Sequence, residues 1–105
     1  MGGNRLVGGG NKIDLWGRIH GEPELRTTPA GTSVLRIIVD AANDLMLSAV
    51  MTGEEAARIR PSLRVGSEVM VKGSLKAVRR RMKAGLIDIA YEVIANSIEI
   101  SKRPE

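Results

Sequence analysis

Apolar and polar residues alternate along much of the chain, which marks strands buried on one face. In residues 12–19, Ile13, Leu15 and Ile19 fall on one face, while Lys12, Asp14, Trp16 and Arg18 fall on the other. Gly17 sits between them, where a glycine permits a bend or a close backbone approach. Residues 21–31 are punctuated by Pro23, Pro29 and Gly31 and read as a turn-rich connection. Residues 33–39 are almost continuously apolar and β-branched, the pattern of a strand buried on much of both faces. Residues 41–44 form a compact turn, and residues 45–52 are the returning antiparallel partner.

Residues 52–60 carry a helical signature. Thr52 is a candidate cap, Glu54 and Glu55 sit near the positive end of the helix dipole, Arg58 and Arg60 near the negative end, and Pro61 at the stop. Alternation resumes at residues 68–75, with Val69, Val71 and Leu75 facing inward, Glu68, Met70, Lys72 and Ser74 outward, and Gly73 in the strand interior. The last strand spans residues 86–100. Ile87, Ile89, Tyr91 and Val93 share one face, and Ile98 and Ile100 have the opposite parity. A bulge near Ala95 and Asn96 returns them to the core, because one extra residue exchanges the faces of a strand.

Five short strands with one helix between the third and the fourth predict an all-β chain. Closure into a barrel removes the exposed edges, and a five-stranded Greek-key barrel with that helix is the OB fold. A flat five-stranded sheet covered by the helix is the alternative. Residues 1–10 are Gly-rich and expected to be flexible, residues 11–101 form the domain, and residues 102–105 are a short polar tail.

The 105 residues suit a single domain. Apolar content is ordinary, but it comes from Val, Ile, Leu, Ala and Met, with one Trp, one Tyr and no Phe. The net charge of +4 and a pI near 10.0 suggest a polyanionic partner. The lack of cysteine excludes a disulfide scaffold, a thiol nucleophile and a cysteine zinc site, and the single His20 excludes a histidine pair on a metal. No spacing of carboxylates, phosphate-binding glycine loop or Ser–His–Asp set supports catalysis or a cofactor. The N-terminus lacks the apolar core of a signal peptide, and no run approaches a membrane span, so a soluble cytoplasmic protein is expected.

The segment "KAVRRRMKAG", residues 76–85, holds Lys76, Arg79, Arg80, Arg81 and Lys83 without an acid. It reads as the loop joining the fourth and fifth strands, which in an OB fold lies beside the ligand groove. Arginine pairs bidentately with phosphate and also stacks on bases, so the cluster is a candidate single-strand nucleic-acid site. A solvated hairpin tip is the plain alternative. Lys72 and Arg36 are candidate groove residues, with ion pairing to Asp40 or Glu68 the alternative for them. Trp16, flanked by Lys12 and Arg18, is either a stacking platform or part of a subunit contact. Tyr91 alternates with Ile87, Ile89 and Val93 and is assigned to the core or an interface. Arg26 is a candidate partner of Glu24, while Arg58, Arg60 and Arg64 read as solvated.

The segments "NKIDLWGRI" (11–19), "EPELR" (22–26) and "TPAG" (28–31) resemble the opening of bacterial single-stranded DNA-binding proteins. "LRVGSEVMVKGSL" (63–75) is similar to that family's "L-x-K-G-x-x-V-x-V-x-G-x-L". The short hairpin and "TPAGTSVLRIIV" also resemble the primosomal replication protein N branch. The resemblance spans residues 11–101. It implies an OB fold, sequence-tolerant binding of single-stranded DNA in replication or replication restart, no catalysis, and a homodimer or homotetramer.

Two departures change that expectation. Met46, Thr52 and Arg80 stand near positions where the family carries stacking aromatics, so binding is expected to be mainly electrostatic. The chain ends at Lys102-Arg103-Pro104-Glu105, without the family's glycine-rich linker and acidic tip, so recruitment through such a tip is not expected. A protein-interaction module of a replication complex and an RNA-binding OB protein remain as alternatives. Exposed Met46, Met70 and Met82 would suit the former.

Overall fold

The computed structural model describes residues 11–101, apart from the side chain of Arg80. The expected glycine-rich segment 1–10 and tail 102–105 lie outside the described residues. Five strands follow one another: β1 (Ile13–Thr27), β2 (Ser33–Asp40), β3 (Met46–Thr52), β4 (Glu68–Arg81) and β5 (Ile87–Ile100). A six-residue helix, α1 (Glu54–Ile59), and a 3-10 turn (Arg60–Ser62) separate β3 from β4. The strands close into a barrel of order β1-β2-β3-β5-β4. All pairs are antiparallel except β3 with β5, which meet in parallel over Ser48–Val50 and Glu92–Ile94. This is the OB fold.

Period-two alternation fills the barrel. Leu15 and Ile19 from β1, Leu35, Ile37 and Val39 from β2, Ala49 and Met51 from β3, Val69 and Val71 from β4, and Val93, Ala95 and Ile98 from β5 are all buried. Ala56 of α1 and Leu63 join the same cluster. No aromatic ring contributes, so the interior is closed by small branched side chains.

β2 buries one face, not both: Arg36 and Ile38 point outward and are exposed. β1 runs well past the expected end at Ile19. Three residues between His20 and Glu24 stand against one on β2, Ile37, between Ile38 and Arg36. The extra residues include Gly21 at φ +76° and buried Pro23. A proline that cannot donate to the ladder is accommodated at such a bulge, so the turn signals are absorbed within the strand. The cap of α1 also differs from expectation. Thr52 ends β3, and Gly53, at φ +96°, occupies the cap position without a side-chain hydrogen bond.

The largest difference concerns residues 76–85. Residues 76–81 continue β4 as strand, and the loop shrinks to the tip 82–86. There the Met82 N–H donates to the Leu86 carbonyl at 2.8 Å, and the Gly85 N–H to the Met82 carbonyl at 3.1 Å. Gly85 adopts φ +82°. Thr28-Pro-Ala-Gly31 builds the same turn, with Gly31 at φ +91°. Both are three-residue hairpin tips closed by a left-handed glycine. The Lys-Ala-Val-Arg-Arg-Arg portion is therefore pleated, and its side chains alternate between two faces.

The expected bulge on β5 is present. Lys72 faces Ser97 while Gly73 faces Ala95, so Asn96 is the extra residue. Ile98 returns to the core, whereas Ile100 stays about one-third exposed. Beside this bulge the backbones crowd: a Cβ on Gly73 would overlap the Ile94 carbonyl. Gly73→Ala should lower unfolding free energy by about 1–3 kcal/mol, because overpacking against backbone cannot be relieved by a rotamer change. Gly85→Ala, which meets open space but positive φ, should cost about 1 kcal/mol. Urea denaturation of the two variants checks the order.

Candidate nucleic-acid interface

β4 changes partners at Gly73. From Glu68 to Gly73 it pairs with β1 on one edge and β5 on the other, whereas from Ser74 onward its ladder runs with β5 alone. β3 in turn meets β5 no further along than Glu92. Residues 77–81 and 87–91 thus form a two-stranded arm beyond the barrel rim, roughly 16 Å long at about 3.3 Å per residue.

One face of this arm continues the inner surface of the barrel. Leu75 lies opposite Val93, Ala77 opposite Tyr91, Arg79 opposite Ile89, and Arg81 opposite Ile87. Directly opposed residues share a face. Val93 is buried because the barrel wall covers it, but no other described element covers the residues beyond the rim. Ile87, Ile89 and Tyr91 are accordingly 58%, 53% and 54% exposed. The core alternative for Tyr91 is thereby corrected: it shares the inward parity, but the strand outruns the barrel. Leu75, expected inside, is also exposed. Strand length was the available signal, since 14 residues exceed the typical five or six.

The opposite face carries Lys76 against Glu92 and Val78 against Ala90, with Arg80 facing Asp88 in the backbone register. Glu92 is already engaged. Arg36 donates from Nη1 to Glu92 Oε2 at 3.0 Å and to Ser48 Oγ at 2.8 Å. Arg36 thus pairs with neither Asp40 nor Glu68, and β2 and β4 are not neighbours in the barrel. Arg36 and Lys72 do not form one cluster.

Trp16 is 64% exposed on the outside of β1, opposite Met70. With Gly17, Glu68 and Ser101 it lines a shallow hollow. Arg18 sits 4.0 Å from Glu68 and donates to the Gly66 carbonyl. Lys72 projects beside them, opposite Asp14. These residues occupy the barrel wall, away from the arm tip. Met70 is half-buried, while Met46 on β3 and Met82 at the tip are exposed on different elements, so the three do not form one methionine surface.

Three further arginines find acids, while Arg64 donates to the Pro61 carbonyl. Arg26 pairs with Glu24, Arg58 with Glu55, and Arg60 with Glu22. Arg60 is half-buried and also donates to the Leu63 carbonyl, so it is not simply solvated. Among the described residues, Lys12, Arg64, Lys72, Lys76, Arg79, Arg81 and Lys83 have no carboxylate within 4.0 Å. Four of these seven project from the arm or its base on β4, and Lys12 stands beside it at the start of β1. Exposed ion pairs add only about 0–1 kcal/mol each to stability, but they remove a cation from the set available to an anion.

Lys12 is tied to the arm by its neighbour. The Asn11 side chain accepts from the Leu75 N–H at 2.6 Å and donates to the Leu75 carbonyl at 3.2 Å. It replaces the next rung of the β1–β4 ladder, which stops at Ile13 and Gly73. A hollow opens there, lined by Asn11, Lys12, Ile13, Leu75, Ala77 and Tyr91.

A closed OB barrel with a basic arm is an architecture of nucleic-acid-binding modules. The family model described as the single-strand binding protein family matches residues 10–101. The chain belongs to that family, whose ligand is single-stranded DNA. No curated protein matches the chain. Among the described residues, no helix is long and apolar enough to cross a membrane.

Proposed function

We propose that this protein binds single-stranded DNA without sequence preference during DNA replication or replication restart, and that the β4–β5 arm supplies the main contacts. The carrying observation is the distribution of charge. Five described arginines are paired with acids, while Lys76, Arg79, Arg81 and Lys83 stand free on one arm. A pleated ribbon spaces Arg79 and Arg81 two residues apart on one face, close to the phosphate repeat of an extended strand. The guanidinium groups pair with phosphates, and binding is driven by counterion release. The resemblance to the primosomal branch supports a role at restarting forks.

Titration of labelled oligonucleotide at several salt concentrations tests this reading. Affinity should fall steeply with salt. Arg79→Ala with Arg81→Ala should flatten the log–log slope by about 1.4, since each single-strand phosphate contact contributes about 0.7. Arg36→Ala should change the slope less, because Glu92 already holds that guanidinium. Salt-insensitive binding, or equal slopes in all variants, would sink the electrostatic account.

A second reading, self-association, draws on the exposed apolar side chains of the barrel wall. Trp16, Ile38, Leu45 and Met46 are each at least 40% exposed, and a homodimer or homotetramer would cover such surface. Sedimentation should give an oligomer at micromolar concentration, and a monomer there contradicts it.

A further inference from the structure

We infer that the hollow at the base of the arm is a nucleobase-stacking subsite, with Tyr91 as its platform and Lys12 as its phosphate partner. The inference rests on the single-strand reading above and names a contact that electrostatics alone does not supply. Tyr91 is the only tyrosine of the chain, and it is more than half exposed. An exposed ring opposite Ala77 has an unobstructed approach, because alanine adds no bulk across the ladder. Ile13, Leu75 and Ala77 give the hollow an apolar floor and walls, which suit the flat face of a base. Its rim carries Lys12, a cation with no acid within 4.0 Å.

The subsite is preorganised. The two hydrogen bonds between Asn11 and Leu75, one donated by each residue, hold the start of β1 against β4, so the spacing between Lys12 and the arm is set before a ligand arrives. Arg79, on the same face as Tyr91 and one rung further out, extends the path of the strand toward the tip. Successive nucleotides then meet a phosphate contact at Lys12, a stacked base at Tyr91 and a phosphate contact at Arg79. Stacking on a side-chain ring is tolerant of sequence, because every base has a π face.

An abasic strand separates this claim from the electrostatic one, since it keeps the phosphates and removes the bases. Binding of oligothymidylate and of an abasic strand of equal length is measured by anisotropy at low salt. Tyr91→Ala should weaken oligothymidylate binding by about 5- to 100-fold and leave abasic binding unchanged. Tyr91→Phe should keep both affinities, because the ring and not the hydroxyl does the stacking. Lys12→Gln should weaken both strands alike. A Tyr91→Trp variant gives an independent readout: oligothymidylate should quench its fluorescence more than that of the parent protein, and the abasic strand should not. Equal loss on both strands in Tyr91→Ala, no loss on either, or no added quenching in Tyr91→Trp overturns the subsite while leaving the electrostatic reading intact. Failure of the parent protein to bind either strand overturns that reading and the subsite with it.

Discussion

The close passage of Gly73 against the Ile94 carbonyl is the constraint on which the functional geometry depends. Without a Cβ at this point, β4 can turn from the β1 ladder and continue with β5 alone. The bulge at Asn96 lies directly across and restores the parity of β5 within the barrel. Below this junction both strands are walls of a closed core. Above it the same two strands form a ribbon whose inward face is open to solvent. A ribbon of two strands is marginal by itself, so its anchorage to the barrel rim matters. Asn11 supplies part of that anchorage through its two hydrogen bonds to Leu75.

Charge pairing then decides which cations this geometry makes available. Arg18, Arg26, Arg36, Arg58 and Arg60 each lie within reach of a glutamate. These pairs are exposed or partly exposed and contribute little to stability. Their larger effect is selective: they neutralise much of the barrel surface and leave the arm positive. The apolar stripe of Ile87, Ile89 and Tyr91 runs beside Arg79 and Arg81, so the arm carries apolar and cationic groups on one face.

Much of the barrel was legible because burial there follows a period of two. The core faces of β1, of β4 as far as Val71 and of β5 at Val93 and Ile98, the close approach at Gly17, and the bulge near Asn96 follow from that period and from glycine sterics, whereas β2 carries the pattern of a strand buried on both faces and buries one. The arm was less legible. Residues 76–85 were read as a loop because consecutive cations resemble a solvated turn, yet only the Lys83-Ala-Gly85 tip has turn chemistry. Tyr91 kept its parity with Val93, but parity does not reveal where a barrel ends. Pro23 misled in the same way, since a proline within a bulge looks like a strand terminator. Arg36 found its acid on β5, 56 residues away, and pairing at that separation depends on tertiary register that local pattern does not carry.

The central claim is that single strands run along the arm, across the rim at Tyr91 and Lys12, and not along the barrel wall at Trp16. Backbone amide NMR of the protein titrated with a short oligothymidylate tests it most directly. The account predicts chemical-shift changes concentrated in residues 76–83 and 87–91 and at Lys12, with little change around Arg18, Arg36 and Glu68. Changes centred on Trp16, Arg18 and Met70, with the arm unmoved, would contradict it.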